Sequence, residues 1–407
     1  MFKLSKEVEH IYSKSVKDGL IEEDDTAVLF YSLDNLDEIL SALKTSFGSN
    51  QSVAIKTNPT KAILKHIVKK GFALEAASIE EVRLALSSEV GSSNIIFDSP
   101  VKTRNEILEV AQNPNVLLNA NFLEELDRIP TNAQCQVGLR INPLLETDAP
   151  EKFAVSTKKS KFGVPISNKE QIVDKLISTS FVTALHMHIG SGINDYSGHV
   201  LAVNKMVDLA DEVNYEREKR GIKSRIATLD IGGGLKGLST LDESCGHIRD
   251  YKKSLIDTIP DLFERFKIIT EFGQLVHAHV GMALSKVEYV KHLESKQVAY
   301  IHLGADLFTR KVYAGLGSQL EYFVLGKNND DLLPTDIVGP LCFAGDVLEE
   351  DVMLPKFMSD DIIAISGVGA NTLGLWSRHC SRNVPKIIVY SLKKDEMLIA
   401  ESRKQVW

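Results

Sequence analysis

The amino-acid sequence predicts an α/β fold, with a (β/α)8 TIM barrel followed by a smaller, mostly antiparallel β domain. Three observations support this prediction. Short apolar, β-rich runs recur from residue 53 onward, the first five of them about 21 residues apart, segments with helical spacing separate them, and the alternation stops near residue 286. A doubly wound open sheet alternates strands and helices in the same way, so periodicity alone leaves it as the alternative.

Eight apolar runs are the predicted barrel strands, and helical segments such as 60–70 and 79–87 lie between them. Eight strand–helix pairs of this size occupy roughly 250 residues in such a barrel. The predicted strands are residues 53–56, 73–77, 94–98, 116–119, 136–142, 183–189, 227–232 and 267–271.

The chain after residue 286 has predicted strands without regular helices between them, which is typical of an antiparallel β domain. We therefore predict that residues 1–25 form an N-terminal segment packed with the C-terminal domain, that residues 26–285 form the barrel, and that residues 286–407 form the β domain. The strands predicted in the last part are residues 287–293, 298–303, 322–325, 362–366 and 386–390.

Composition narrows the classes of function. The chain has 47 Lys and Arg against 55 Asp and Glu, a formal net charge of −8, which argues against a nucleic-acid partner. No apolar run reaches the roughly 18–20 residues of a membrane span, and the N-terminus lacks the apolar segment of a secretory signal. Four scattered cysteines favour a cytoplasmic location. His186-x-His188 has metal-ligand spacing but no evident third ligand, so no metal is expected.

Ionisable groups gather at the ends of the predicted strands, where a barrel of this type places its functional residues. Lys56 ends the first strand after Val-Ala-Ile, and burial there would lower its pKa and make it a nucleophilic amine able to form a Schiff base. On its own, a strand-end lysine that extends into solvent is the simpler interpretation. The other strand ends therefore decide how Lys56 is interpreted.

Gly232, Gly233 and Gly234 follow the seventh predicted strand, where loops of such barrels often hold phosphate. Glycines let backbone N–H groups approach a phosphate closely, and Ser191, between two glycines, could add a hydroxyl. Residues 232–237 formally match a dinucleotide-binding pattern, but that site requires the first strand–helix turn. A single-phosphate cofactor fits better, and a tight turn without any ligand is the structural alternative.

Glu271 ends the eighth apolar strand, where a carboxylate needs a cationic or protonated partner. A reactive lysine, a phosphate loop and a buried glutamate together indicate pyridoxal phosphate, because the acid keeps the pyridine nitrogen protonated. His188 could then stack on the pyridine ring, and Arg140 could supply a cation. A plain ion pair for Glu271 or Arg140 and a core histidine for His188 are the alternatives.

A series of motifs, in one order along nearly the whole chain, resembles the barrel-fold (fold type III) pyridoxal-phosphate decarboxylases, the family of diaminopimelate and ornithine decarboxylases. Each motif alone is weak, whereas the ordered series is specific. The motifs are Ala54-Ile-Lys56-Thr-Asn58, Glu75-Ala-Ala-Ser78, Leu139-Arg-Ile-Asn142, Lys161-Phe-Gly163, His188-Ile-Gly-Ser-Gly192, Leu229-Asp-Ile-Gly-Gly-Gly234, Glu271-x-Gly273, Val338-Gly-Pro-x-Cys342-x-x-x-Asp346 and Gly369-Ala-x-Thr372.

By this resemblance, Lys56 forms the Schiff base, Glu75 lies beside it, and Cys342 of a second subunit returns a proton after carbon dioxide leaves. Lys161 and Asp346 resemble the family's ion pair between subunits, which implies a head-to-tail homodimer with shared active sites. The other implied cofactor contacts are Arg140, His188, Ser191, Gly232, Gly233, Gly234, Glu271, Gly273, Gln274 and Asn371.

Departures from the family motifs concern the substrate. Phe343 stands where the family has an acidic residue that binds a distal ammonium, Gln274 stands for an arginine, and Asn371 stands for a tyrosine. Losing the acid costs a desolvated ammonium roughly 2–5 kcal/mol. Arg378 replaces a usually uncharged residue and could meet a distal anion or pair with a surface acid. We expect an amino acid with a neutral, acylated or anionic distal group, as in siderophore-type or other secondary pathways, rather than free diaminopimelate, ornithine or lysine.

The expected reaction is loss of the α-carboxylate as carbon dioxide, which leaves an amine. Three other functions share part of the pattern. A racemase or epimerase on this barrel usually has arginine where Glu271 stands. A non-catalytic regulator would be expected to lose Lys56 or the phosphate loop, although Gln274 and Asn371 leave cofactor affinity open. An NAD(P)-dependent oxidoreductase accounts only for residues 232–237.

Overall fold

The computed structural model describes residues 2–88, 95–146, 148–315, 320–327 and 331–403. The chain divides into two compact units. Residues 38–56 and 64–276 form the barrel unit, whereas residues 1–37, 57–63 and 277–407 form the β unit. Each unit contains one large sheet.

The elements alternate regularly only within the barrel unit. The helices are α1 Phe2–Lys17, α2 Leu33–Phe47, α3 Lys61–Lys69, α4 Ile79–Ser87, α5 Arg104–Ala111, α6 Lys169–Ser178, α7 Tyr196–Lys219, α8 Leu241–Thr258, α9 Leu262–Arg265, α10 Gln274–His277 and α11 Thr309–Ala314. Short 3₁₀ helices lie at Ile55–Thr57, Leu123–Arg128, Glu151–Phe153, Ile166–Asn168, Leu373–Leu375 and His379–Ser381.

The strands follow the same division between the two units. The barrel unit has β2 Ser52–Ala54, β3 Ala73–Ala76, β4 Ile95–Phe97, β5 Val116–Ala120, β6 Gln136–Asn142, β7 Val164–Pro165, β8 Val182–His186, β9 Thr228–Asp230, β10 Lys267–Ile269 and β11 Glu271–Phe272. The β unit has β1 Ala27–Ser32, β12 Gly281–His292, β13 Gln297–Ile301, β14 Glu321–Val324, β15 Leu332–Val338, β16 Val347–Pro355, β17 Ile362–Ser366, β18 Lys386–Ser391 and β19 Glu396–Glu401.

The parallel sheet of the barrel unit runs in the order β10-β9-β8-β6-β5-β4-β3-β2-β11, with β7 paired to β6. Only Thr270 separates β10 from β11, so these two short strands are one interrupted strand whose first part pairs with β9 and whose second part pairs with β2. The Gln51 side chain accepts hydrogen bonds from the Thr270 N–H and hydroxyl at 2.9 Å each. The predicted barrel is therefore confirmed, and the open sheet is excluded.

The predicted barrel strands all appear, with different limits. Residues 187–189 and 231–232 lie beyond the ends of β8 and β9, because the chain turns there toward the rim of the barrel. Asn94, at the start of the third predicted strand, lies outside the described residues.

The sheet of the β unit is mixed, with six antiparallel and two parallel pairs of strands among the residues that the structure describes. The sequence-based division assigned residues 26–285 to the barrel, whereas the structure places β1 and the first residues of β12 in this sheet. Five of the six β1 residues are buried, since Val8 and Ile11 of α1 pack with Phe30 on one face.

The sequence analysis did not predict four of the described strands of the β unit, which are β1, β15, β16 and β19. β16 and β19 are the edges of the sheet and carry acidic residues, as edge strands commonly do, so their apolar runs are short and flanked or interrupted by charge. β15 contains Pro334, and a proline argues against a strand because it has no N–H to donate to a neighbouring strand. Within the described ranges, every helix is too short or too polar to cross a membrane.

Candidate active site

The carboxyl ends of the parallel strands share one rim of the barrel, so residues distant in sequence lie close together there. The strand register places Arg140 of β6 opposite His186 of β8, and His186 opposite Asp230 of β9. Sequence-predicted site residues at this rim or in the turns that follow it are Lys56, Glu75, Arg140, His188, Ser191, Gly232, Gly233, Gly234, Glu271, Gly273 and Gln274.

Lys56 leaves the barrel wall in a 3₁₀ turn directly after β2. Its Nζ contacts Oε2 of Glu75, which is fully buried in β3, while half of the lysine side chain is exposed. Burial lowers the pKa of Lys56, but nearby carboxylates, Glu75 foremost, raise it by more, so it lies above its ordinary value. The expectation of a lowered pKa was therefore wrong for the cofactor-free protein, because desolvation is not the only charge effect at this position.

Several buried acids surround this lysine. Glu271 begins β11, and its Oε2 lies 3.5 Å from Nε2 of His186, which is 3.8 Å from Oδ2 of Asp98. Burial raises the pKa of Glu271 to about 8 and raises that of Asp230 well above its usual range. The rim is therefore rich in carboxyl groups that can hold a proton at neutral pH.

Asp98 behaves differently from its neighbours. Burial alone would raise the pKa of its carboxyl, but His186 and Lys56 lower it by more, so it lies below its ordinary value. One oxygen or nitrogen each from Asp98, His186 and Glu271 lies within 4.8 Å of the others, an arrangement that could also hold a metal ion. The expectation that no metal binds stays a prediction.

The glycine turn is tightly packed against neighbouring backbone. A Cβ atom on Gly233 would lie 2.3 Å from the carbonyl oxygen of Glu271, and one on Gly234 would lie 2.2 Å from the carbonyl oxygen of Gly190. Gly232 has φ +68°, and its N–H donates to Asp230 at 3.1 Å. Packing alone thus requires glycine at these positions, and a role in holding phosphate stays a prediction.

His188 is fixed by this turn. The N–H of Gly233 donates to its Nδ1 at 3.1 Å, which leaves the ring proton on Nε2. Burial, together with the positive charges of Arg140 and Lys56, lowers the pKa of His188 well below its usual range. The imidazole is therefore neutral and held in one tautomer.

Arg140 is a buried cation among these acids. Its guanidinium lies over the Phe162 ring, 4.4 Å from the ring centroid. Burial lowers its pKa, while Asp98 and Glu271 oppose that effect. A contact of Arg140 with the cofactor stays a prediction.

The remaining predicted residues belong to the β unit. Cys342 and Phe343 are exposed, and Phe343 stacks on Tyr313 with a centroid distance of 5.4 Å and lies 6.0 Å from the ring of His379. Arg378 is also exposed.

Asn371 has φ +57°, a conformation that asparagine tolerates, and its N–H donates to the carbonyl of Thr57 at 2.8 Å. Asp346 is buried, and its two carboxylate oxygens accept N–H groups of Ala305 at 2.6 Å and Leu341 at 2.8 Å. Asp346 thus joins its own loop to the segment after β13, and its ion pair with Lys161 stays a prediction.

The sequence analysis assigned no place in the cofactor site to three residues of the rim: Asp98, His186 and Asp230. Asp98 follows β4, and the other two are the last residues of β8 and β9. The rule that selected Lys56 and Glu271, an ionisable group at the end of a barrel strand, would have found all three.

Comparisons with known proteins agree with this architecture. Residues 33–299 match the family model described as "Pyridoxal-dependent decarboxylase, pyridoxal binding domain". Diaminopimelate decarboxylase of Helicobacter pylori is 25% identical over 395 residues, which is 95% of each chain. The enzyme of the same name from Methanocaldococcus jannaschii is 28% identical over 363 residues, 86% of this chain and 80% of that protein.

Solved structures show the same fold. The crystal structure of the Helicobacter pylori enzyme complexed with L-lysine has a TM-score of 0.81 at 24% identity, covering 95% of this chain and 96% of that one. The arginine decarboxylase of Paramecium bursaria Chlorella virus, bound to agmatine, has a TM-score of 0.80 at 18% identity and covers 94% and 100%. The family match spans well over half of the chain, so this protein belongs to the pyridoxal-dependent decarboxylases and is a carboxy-lyase whose cofactor is pyridoxal phosphate.

Proposed function

We propose that this chain removes the α-carboxylate of an amino acid whose distal group is neutral, acylated or anionic, with pyridoxal phosphate bound at the carboxyl ends of the barrel strands. The observation that supports this most directly is the contact of Lys56 with buried Glu75 on the rim that also holds Glu271. An amine nucleophile binds the aldehyde of this cofactor, and a separate buried acid keeps its ring nitrogen protonated.

The buried atoms of the rim fit the cofactor. Oε1 of Glu271 is buried and has no hydrogen-bond partner among the described residues. An unpaired buried carboxyl oxygen is unfavourable, and a protonated ring nitrogen would satisfy it. We assign Glu271 to that nitrogen, Lys56 to the aldehyde carbon, and the turn at Gly232–Gly234 with Ser191 to the phosphate.

Bound pyridoxal phosphate supplies the electron sink for the electron pair left behind when carbon dioxide departs. Lys56 would hold the cofactor through its amine, and Glu271 would stabilise the proton on the ring nitrogen. His188, neutral and fixed by the Gly233 N–H, presents a ring of constant orientation and no competing charge. Cys342 of a second subunit would return the proton to the α-carbon.

The proposed substrate class rests on the β unit. Phe343, at the position where the resemblance expects an acid, forms an aromatic cluster with Tyr313 and His379. Aromatic rings offer a distal ammonium no charged hydrogen-bond acceptor, whereas they tolerate an acylated or neutral end. Arg378, exposed in the same unit, is the proposed partner of an anionic end. No observation favours a racemase, an epimerase or a regulator.

We also propose that the active protein is a head-to-tail homodimer, because Cys342 is exposed and its proposed role requires a second subunit. The proposed location is the cytoplasm.

The test is release of carbon dioxide from a panel of basic, neutral, acidic and N-acylated amino acids by cofactor-loaded protein. We expect the highest kcat/KM for a neutral, acylated or anionic distal group, and no release by Lys56→Ala. Lys61→Ala, which removes an exposed lysine of α3, is the matched control and should keep wild-type rates. A kcat/KM for diaminopimelate or ornithine above that for all other substrates would refute the substrate class, and release by Lys56→Ala would refute the site.

A further inference from the structure

Two buried carboxyl groups beside Lys56 face one another. Glu75 in β3 is fully buried, Asp98 after β4 is buried as well, and the N–H of Asp98 donates to the carbonyl of Ala76, the residue after Glu75, at 3.2 Å, so the two carboxyls are neighbours at the rim. Oε1 of Glu75 has no donor among the described residues, since an ionised Asp98 offers only acceptor oxygens. One proton placed between these two groups would satisfy that oxygen.

The same Glu75 carries the ammonium of Lys56 on its Oε2. Lys56, Glu75 and Asp98 therefore form a chain of one amine and two carboxyls. The amine must lose a proton before its nitrogen lone pair can attack a carbonyl carbon, and Glu75 is the acceptor in contact with it. A glutamate without a further partner has too low a pKa to keep that proton.

We propose that Asp98 is a positioning residue that makes Glu75 the acceptor of the Lys56 proton. The proton passes from Nζ to Oε2 of Glu75, the electron pair of the broken N–H bond stays on nitrogen, and rotation of the neutral carboxyl group then lets its O–H donate to ionised Asp98. The charge that Lys56 loses is matched by the charge that Glu75 loses. This inference rests on the proposed function, because it concerns how Lys56 becomes able to bind the cofactor.

Charge supports this arrangement. Burial and the neighbouring Asp98 raise the pKa of Glu75 well above its usual range, whereas Asp98 itself stays ionised. A carboxyl pair of this kind takes up one proton as a unit. The other charged or titratable groups that face Asp98 are Glu81, Lys102, Arg140, His186, His188 and Glu271.

The experiment measures how fast cofactor-free protein captures pyridoxal phosphate at a series of pH values. Visible absorbance follows capture, and borohydride reduction followed by mass measurement of the Lys56 peptide verifies the covalent bond. In Asp98→Asn, the amide donates to Glu75 and stabilises its ionised form, so Lys56 keeps its proton. We expect the pH midpoint of capture to rise by about one unit, which is about a tenfold slower rate at neutral pH. Asp98→Glu should restore the wild-type midpoint.

The direction of the shift separates this role from a simple effect of charge. If Asp98 acted only as a negative charge near Lys56, its removal would lower the pKa of the lysine and move the midpoint to lower pH. A downward shift or no shift in Asp98→Asn overturns the inference. Asp127→Asn, which removes an exposed carboxylate on the surface, is the matched control and should leave the midpoint unchanged.

Folding is checked by circular dichroism. If Asp98→Asn does not fold, Asp98→Ser, whose hydroxyl also donates to ionised Glu75, must give the same upward shift, and its failure to do so overturns the inference. Wild-type protein that captures no pyridoxal phosphate at any pH would refute the proposed function. If the wild type captures the cofactor but Asp98→Asn shows no upward shift, only the role of Asp98 is refuted.

Discussion

At the scale of single residues, burial decides which groups of the rim hold a proton. The side chain of Glu271 is 3% exposed, and the buried carboxyl of Asp230 is a neighbour that brings no positive charge beside it. Two acids in so little water cannot both be ionised without a cation between them. Proton uptake by these side chains is therefore part of the stability of the cofactor-free protein.

Glu271→Gln should flatten the pH dependence of that stability. Burial raises the pKa of Glu271 from 4.5 to about 8, so between these values the folded protein binds more protons than the unfolded chain. The free energy of unfolding of the wild type therefore falls as the pH rises through this window. The variant should lose up to about 1.4 kcal/mol per pH unit of that slope. Urea denaturation of cofactor-free protein at pH 5, 6, 7 and 8 measures it.

Glu264→Gln is the control for this measurement, because its side chain is exposed in α9 and removing its charge should preserve the wild-type slope. An equal slope in the wild type and in Glu271→Gln would contradict the prediction.

At the scale of elements, the turn between β9 and α8 shows how a strand end is shaped by its neighbours. The chain must pass close to the ends of β8 and β11, and backbone atoms fill the space that side chains would need. α8 begins after Thr240, whose hydroxyl accepts the N–H of Glu243 in a capping box, so the helix start is fixed independently of the turn.

Gly233→Ala should destabilise the protein and weaken cofactor binding. The added Cβ would lie 2.3 Å from the carbonyl oxygen of Glu271, which forces the backbone of β11 to move. Such overpacking typically costs about 1–3 kcal/mol. Gly246→Ala is the matched control, because its Cβ would meet only a flexible arginine end at 3.6 Å inside α8.

The control should stabilise the helix by roughly 0.5–1 kcal/mol. Urea denaturation measures stability, and titration with pyridoxal phosphate measures affinity. A Gly233→Ala protein as stable as the wild type would show that the turn has room to relax.

At the scale of the whole molecule, both ends of the chain build one sheet. β1 pairs antiparallel with β12 and parallel with β18, although more than 350 residues separate β1 from β18. α1 covers this sheet through Val8 and Ile11. The β unit therefore forms only after the entire barrel sequence has been made, and it carries Cys342.

Mixing two inactive variants tests the proposed dimer. Lys56→Ala and Cys342→Ala should each lack activity, but a mixture that exchanges subunits should recover about a quarter of wild-type activity, since half of the dimers hold one intact site. Lys56→Ala mixed with Glu271→Gln is the control: both residues belong to the barrel unit, so no mixed dimer has an intact site. Sedimentation measures the size of the assembly. A dimer that recovers no activity in the first mixture would contradict shared sites.

How much was predictable differs among these scales. The barrel was predictable because a parallel strand buried on both faces is an apolar run, and eight such runs are visible in one dimension. The edge strands β16 and β19 were not predictable, because acidic residues interrupt or flank their apolar positions. β1 is apolar, but only its pairing with β12 and β18 shows which sheet it joins.

The order of motifs around Lys56, the glycine turn and Glu271 determined the fold, the family and the cofactor without any coordinates, because these depend on which residue types end successive strands. The tertiary structure alone decided that Lys56 contacts buried Glu75, that nearby carboxylates including Asp98 raise the pKa of this lysine, and that Asp346 binds N–H groups of two separate segments. The physical reason is that the charge state of a group depends on neighbours through space, and strands far apart in sequence supply those neighbours.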